Sequence, residues 1–148
     1  MSHISERILI NAPVEKVRDL VLDPAKWSIW YSGLGEAEEI EGDGGPGTTV
    51  KHSYLMAGVH FPVTTKVTDS HENSDGSYTH RNEFSGPLSG WQTWDYKPKD
   101  GGTEVVAEIE YTVPGKALGK LADRLVVERV QQRAAHETME RLKILAES

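Results

Sequence analysis

The spacing of apolar residues changes period twice along this chain. Residues 3–11 alternate in part, with Ile4, Ile8 and Ile10 sharing one parity, which predicts a strand with one buried face. From Val14 the spacing turns helical, through Val17, Leu20 and Val21. Pro13 suits a first helical turn, where its missing N–H costs nothing. Asp23-Pro24 stops the helix, because a residue preceding proline is driven out of helical geometry. A second short helical turn is expected between Pro24 and Trp30.

A β region follows. Strands are expected within residues 35–42, 48–56, 60–71, 77–84, 91–98 and 103–113. The turn signals between them are Gly-Asp-Gly-Gly-Pro-Gly at 42–47, Ser-Asp-Gly-Ser at 74–77 and Asp-Gly-Gly at 100–102. Pro114-Gly115 breaks the pattern, and a long helix is expected from about Leu118 to Ala146. Steps of four and three place Leu121, Leu125, Glu128, Gln132, Ala135, Met139, Leu142 and Ala146 on one face, over roughly 40 Å at about 1.5 Å per residue. One long helix must then cover the apolar face of an antiparallel sheet, and a strongly twisted sheet can curve around it. The expectation is a single α+β domain over residues 1–148, with two short N-terminal helices closing one end and space for a small molecule inside.

Composition narrows the partners. The 148 residues carry a net charge of −7 and no Lys/Arg cluster, which disfavours nucleic acid and anionic membranes. There is no cysteine, hence no disulfide framework or thiolate chemistry. No apolar run approaches a membrane span, and residues 1–11 lack a secretory pattern, so a cytoplasmic location is expected.

The residues Ile10, Ala12, Pro13 and Val17, then Asp23 and Trp30, then Gly102-Thr103, then Pro114-Gly115, form a series that resembles the START-like, or SRPBCC, superfamily. Within it the chain is most similar to the polyketide cyclase/dehydrase-like branch. The resemblance spans nearly the whole chain and implies a Bet v 1-like helix-grip fold with an internal cavity for an apolar or aromatic ligand. It implies no single chemistry, because members carry lipids, bind quinones or hormones, or cyclise polyketides.

Strand parity nominates the lining. Val50 carries His52 and Tyr54 inward; Val63 and Val67 carry Thr65; Tyr78 and Phe84 carry His80 and Asn82; Gln92, Trp94 and Tyr96 form one set, and Val105, Ala107, Ile109 and Tyr111 another. Leu125, Glu128 and Gln132 are expected to face them from the helix. Glu128 has a plainer alternative, pairing with Arg124 one turn earlier. Buried polar groups must satisfy one another, hold water or meet a ligand. Trp27, Trp30 and Tyr31 fall where the short helices meet the open end. Trp30 is expected to plug the core edge, while Trp27 and Tyr31 are candidates for a gate facing a lip at residues 56–59.

Reactive motifs are few. His136-Glu137-x-x-Glu140 lacks the second histidine of a zinc helix, and His52 with His80 makes an incomplete metal site, so no metal or cofactor is expected. Residues 42–47 lack the Lys-Ser/Thr of a phosphate loop. The favoured reading is a binding or carrier protein for a small hydrophobic or aromatic molecule, such as a lipid, quinone or polyketide-like compound. The enzymatic alternative is a polyketide aromatase/cyclase or dehydratase with His80 or His52 as general acid/base and Tyr54, Tyr78 or Asn82 as donor. A third reading is a chaperone-cofactor-like or toxin-like interaction module using the outer sheet face.

Overall fold

A computed structural model describes residues 2–113, 115 and 124–148. Strands β1 (Ser2–Ile10), β2 (Glu39–Glu41), β3 (Thr49–Met56), β4 (Val59–Glu72), β5 (Tyr78–Ser85), β6 (Ser89–Lys99) and β7 (Gly102–Thr112) form one antiparallel sheet in the order β1-β7-β6-β5-β4-β3-β2. Helix α1 (Val14–Leu22), a 3-10 turn (Pro24–Lys26) and α2 (Trp27–Trp30) follow β1, and α3 (Arg124–Glu147) crosses the inner face. This is the expected helix-grip arrangement. Pro114 and residues 118–123, where the long helix was expected to begin and Leu121 to face inward, lie outside the described residues.

Local chemistry explains the joints. Asp100 and Gly101 both have positive φ, at 50° and 78°, and connect β6 to β7 through the two-residue turn whose twist suits a hairpin. Gly102 sits so close to β1 that a Cβ would lie 2.3 Å from the Ile10 carbonyl oxygen, and the Thr103 hydroxyl donates to the Ala12 carbonyl at 2.8 Å. The Gly-Thr pair therefore seals the start of β7 against the β1–α1 junction. Asp23 adopts extended geometry before Pro24, and its carboxylate accepts from the Ala25 N–H at 3.1 Å.

Buried side chains divide into two groups. One joins Val17 and Val21 of α1, Trp27 and Trp30, Val67, Trp94, Tyr96 and Val105 to Met139, Leu142 and Ala146 of α3. The other joins Ile4, Met56, Phe61, Val63, Leu88, Ile109 and Tyr111 to Val127 and Ala135. The C-terminal half of α3 thus presents the expected face. Its N-terminal half does not: Val127 and Gln131 are buried, Gln132 is exposed, and Leu125 is 61% exposed. A ladder of four-and-three steps repeats every 3.5 residues, whereas a straight helix turns every 3.6, so the face drifts about 20° per heptad. Three heptads back from Ala146 the drift displaces Leu125 from the interface.

The strand expected over residues 35–42 shortens to the exposed three-residue β2. Glu104 has the outward parity of β7, yet it is 7% exposed beneath Lys99 (3.0 Å), Lys97 (3.6 Å) and Arg7 (3.8 Å).

Leu142 is fully buried and Ile144 is 68% exposed on the same helix. Leu142→Ala should cost about 2–5 kcal/mol in urea unfolding, and Ile144→Ala no more than about 0.5 kcal/mol. Equal effects would place the helix in a different rotation.

Candidate binding cavity

Between the two buried groups lies a hollow of about 80 Å³. It opens at a seam where inward positions are polar. Across the sheet, Val67, Asn82, Gln92 and Ile109 form one row, and Thr65, Phe84, Gly90 and Tyr111 the next. His80 lies opposite Trp94, and His52 opposite Val63. Every inward parity assignment made from the strands holds. Gly90 has a packing reason: a Cβ there would meet the Phe84 ring at 2.8 Å.

Of the nominated residues, Trp27, Trp30, Tyr31, His52, Tyr54, Thr65, His80, Asn82, Gln92, Trp94 and Tyr111 line the hollow together. Four do not. Tyr78 lies beyond it, stacked on Tyr96 at 5.3 Å with the Arg18 guanidinium 5.2 Å from its ring centre. Leu125 and Gln132 face away, for the helical drift described above. Glu128 sits at the β1 edge, accepting from Ser2 Oγ at 3.1 Å and Arg124 Nε at 3.3 Å, as its plainer alternative anticipated. The α3 residue that reaches the hollow is Gln131, one position from the nominated Gln132. Met56 also lines it, at the end of β3 with the parity of His52 and Tyr54, and Leu34 and Leu88 line it from outside the strands.

The two tryptophans of the short helices are walls. Trp27 is 6% exposed and donates to the Val21 carbonyl at 2.8 Å; Trp30 is 3% exposed and donates to the Leu20 carbonyl at 3.2 Å. These bonds satisfy carbonyls in the last turn of α1, which have no partner within that helix. Trp30 is the expected plug, and Trp27, expected as a gate candidate, lies buried in the wall of the hollow. Its ring lies against both histidines, at 6.4 Å from His52 and 6.2 Å from His80. Tyr31 is partly buried and held: Gln92 Nε2 donates to its hydroxyl at 2.6 Å, and Trp94 Nε1 donates to Gln92 Oε1 at 3.0 Å.

The remaining polar groups are partly satisfied. His52 Nε2 and Thr65 Oγ1 are 2.8 Å apart, and Gln131 Nε2 donates to the Tyr54 hydroxyl at 3.0 Å. His80 Nδ1 faces Ser70 Oγ at 3.4 Å. His80 Nε2, Gln131 Oε1 and the Tyr111 hydroxyl are buried with no hydrogen-bond partner among the described residues.

Ser70 reaches His80 because of a bulge in β4. The register shifts between Val67 and Asp69, so Ser70 rather than Asp69 lies opposite His80. Asp69 turns outward to His71 Nδ1 at 2.8 Å. A hydroxyl rather than a carboxylate thereby meets the His80 ring. No Asp, Glu, Lys or Arg occurs among the described residues that line it.

Burial lowers both imidazoles to about 4, with nearby Asp69 partly opposing the effect at His80. Burial also raises the Tyr31 and Tyr54 hydroxyls, so the lining is neutral at pH 7. Among the described residues no group of three or more His, Cys, Asp or Glu is placed to hold a metal ion. No described helix is long and apolar enough to cross a membrane.

The sheet, the crossing helix and the hollow between them define a protein of the helix-grip class. The chain belongs to the polyketide cyclase/dehydrase and lipid transport family, whose model matches residues 1–147, within the SRPBCC superfamily. It is similar in fold to Zhui aromatase/cyclase from Streptomyces sp. R1128, with 17% identity, TM-score 0.72, and coverage of 99% of this chain and 93% of that one. A protein from Thermus thermophilus aligns at 20% identity and TM-score 0.72 over 98% and 97% of the two chains. Ara h 8.0201 aligns at 20% identity and TM-score 0.66 over 99% of each. No curated protein matches the sequence.

The histidine shifts carry a stability signature. A group whose folded pKa lies below its unfolded value of 6.5 gives its full stability above pH 6.5 and loses it as pH falls toward 4. The pair should account for roughly a few kcal/mol across that window. His71, raised by Asp69, acts in the opposite sense there, so the readout is the difference between variant and wild type. Urea midpoints for His80→Gln should fall less steeply than wild type between pH 6.5 and 5, above the carboxylate range. Parallel curves would show that His80 is not buried neutral.

Proposed function

We propose that this protein binds and carries a small apolar or aromatic molecule in the hollow between its sheet and α3. The observation that carries the reading is His80 Nε2, a buried polar atom with no partner among the described residues, on a side chain 1% exposed that lines the hollow. An unpaired buried polar atom costs about 1–3 kcal/mol. Water or a ligand recovers that cost, and the aromatic walls around it suit a ligand with a flat apolar body.

The family description and the similarity to an aromatase/cyclase support a second reading, in which a cavity histidine serves as general acid/base. The environment of the histidines weighs against it. A general base works best with a pKa near the working pH, and burial holds both imidazoles near 4. They are poorly matched to proton transfer at pH 7 and well suited to neutral hydrogen bonding. The outer sheet face gives the interaction-module reading little support. Its charges pair with one another, as in Glu104 with Lys99 and His3 with Glu108 at 2.6 Å, and Arg81 covers Trp91 at 4.5 Å.

Native mass spectrometry of protein taken from its own cells should show a bound small molecule that denaturation releases. Val63 is 7% exposed and lines the hollow, so Val63→Phe should fill it at little cost in stability and reduce ligand affinity at least tenfold. A folded Val63→Phe protein that still binds with wild-type affinity would move the site elsewhere.

A further inference from the structure

We propose that the cavity selects an uncharged, hydroxyl-bearing molecule of single-ring size, a simple phenol in chemical class, and rejects the corresponding acids and amines. This rests on the carrier reading and specifies its ligand.

Size comes first. The hollow is about 80 Å³. A water occupies about 30 Å³ in the liquid, and a cavity of roughly 150 Å³ admits benzene. The hollow is about half the latter, so one ring enters only as flexible lining such as Met56 moves aside. A fused multi-ring compound or a long acyl chain requires the sheet and helix to separate.

Charge comes second. The described lining has no ionised side chain, and the bulge in β4 turns the nearest carboxylate, Asp69, away from His80. A carboxylate or ammonium brought inside would lose its water without gaining a counter-ion. The imidazoles give no relief, since burial keeps both neutral at pH 7.

Polarity comes third. The unmet groups are His80 Nε2, Gln131 Oε1 and the Tyr111 hydroxyl. A hydroxyl both donates and accepts, so it serves either tautomer of His80 and either orientation of the Gln131 amide. A carbonyl accepts only and serves half of those states. Trp27, Tyr31, Tyr54 and Trp94 supply faces and edges for a planar ring.

The probes are 4-methylphenol, toluene and 4-hydroxybenzoate, titrated at pH 7 and followed by calorimetry and tryptophan fluorescence. The three share one ring and differ in hydroxyl and charge. The phenol should bind at least tenfold more tightly than either of the others. His80→Phe should narrow the phenol-to-toluene ratio at least threefold while toluene still binds, and Gln131→Leu serves as the second variant if His80→Phe does not fold. Toluene binding as tightly as the phenol, or the benzoate binding as tightly, overturns the assignment. So does a phenol-to-toluene ratio unmoved by both variants. If none of the probes binds while native mass spectrometry still finds a bound molecule, the size and charge assignment falls and the carrier reading stands. If no molecule is found either, both fall.

Discussion

A single helix cannot cover the inner face of a seven-stranded sheet, and the interior is organised by that shortfall. The last turns of α3 make a dry contact through Met139, Leu142 and Ala146 with the tryptophans and with Trp94, Tyr96 and Val105. Ser32 ties α2 to the same stretch, its N–H donating to Thr138 Oγ1 at 3.0 Å and its hydroxyl to Glu137 at 3.1 Å. Toward its N-terminus the helix offers Val127 and Gln131 instead, and the sheet opposes them with His52, Thr65, His80, Asn82 and Gln92. Dry packing at one end sets the spacing; polar side chains at the other prevent the same collapse. The hollow is the space left between those two demands.

The polar seam is stable because most of its members are satisfied in pairs. Gln92 links Trp94 to Tyr31, Gln131 reaches Tyr54, and His52 meets Thr65. Apart from the Trp94–Gln92 bond within β6, these bonds tie separate parts of the chain together, so the network fixes geometry as well as meeting hydrogen-bonding needs. What remains unpaired is confined to the hollow. The bulge in β4 is the decisive detail, because one extra residue exchanges a carboxylate for a hydroxyl opposite His80. An Asp-His pair there would have kept the imidazole charged near neutral pH and favoured proton-transfer chemistry. The Ser-His pair leaves it neutral.

Family membership and chemistry separate at this point. The similar structures share the fold at 17–20% identity, which leaves ample freedom for the lining to differ. The motif residues shared along the chain serve joints: Gly102 and Thr103 seal β7 to β1, and Asp23 sets the break between α1 and the turn that follows. These three hold the grip together without reaching the hollow, whereas Trp30 lines it.

The sequence by itself determined the elements, the antiparallel sheet around a long helix, and the inward side of every strand from β3 to β7. Side-chain alternation has a period of two and tolerates little error, so Val50, Val67 and Val105 reported the parity of their polar neighbours correctly. It also identified Trp30 as a plug, since a ring at a helix end has few other places to go. Only the tertiary structure decided which helical residue meets the hollow. Helical phase accumulates error with distance, and an anchor at Ala146 could not separate Gln131 from Gln132 or keep Leu125 inside. Only the structure set Trp27 as a wall, because its partner is a carbonyl six residues away in another element. And only the structure revealed the turn of Asp69 away from His80, for a bulge follows from pairing with a neighbouring strand and leaves no mark in the pattern of one strand alone.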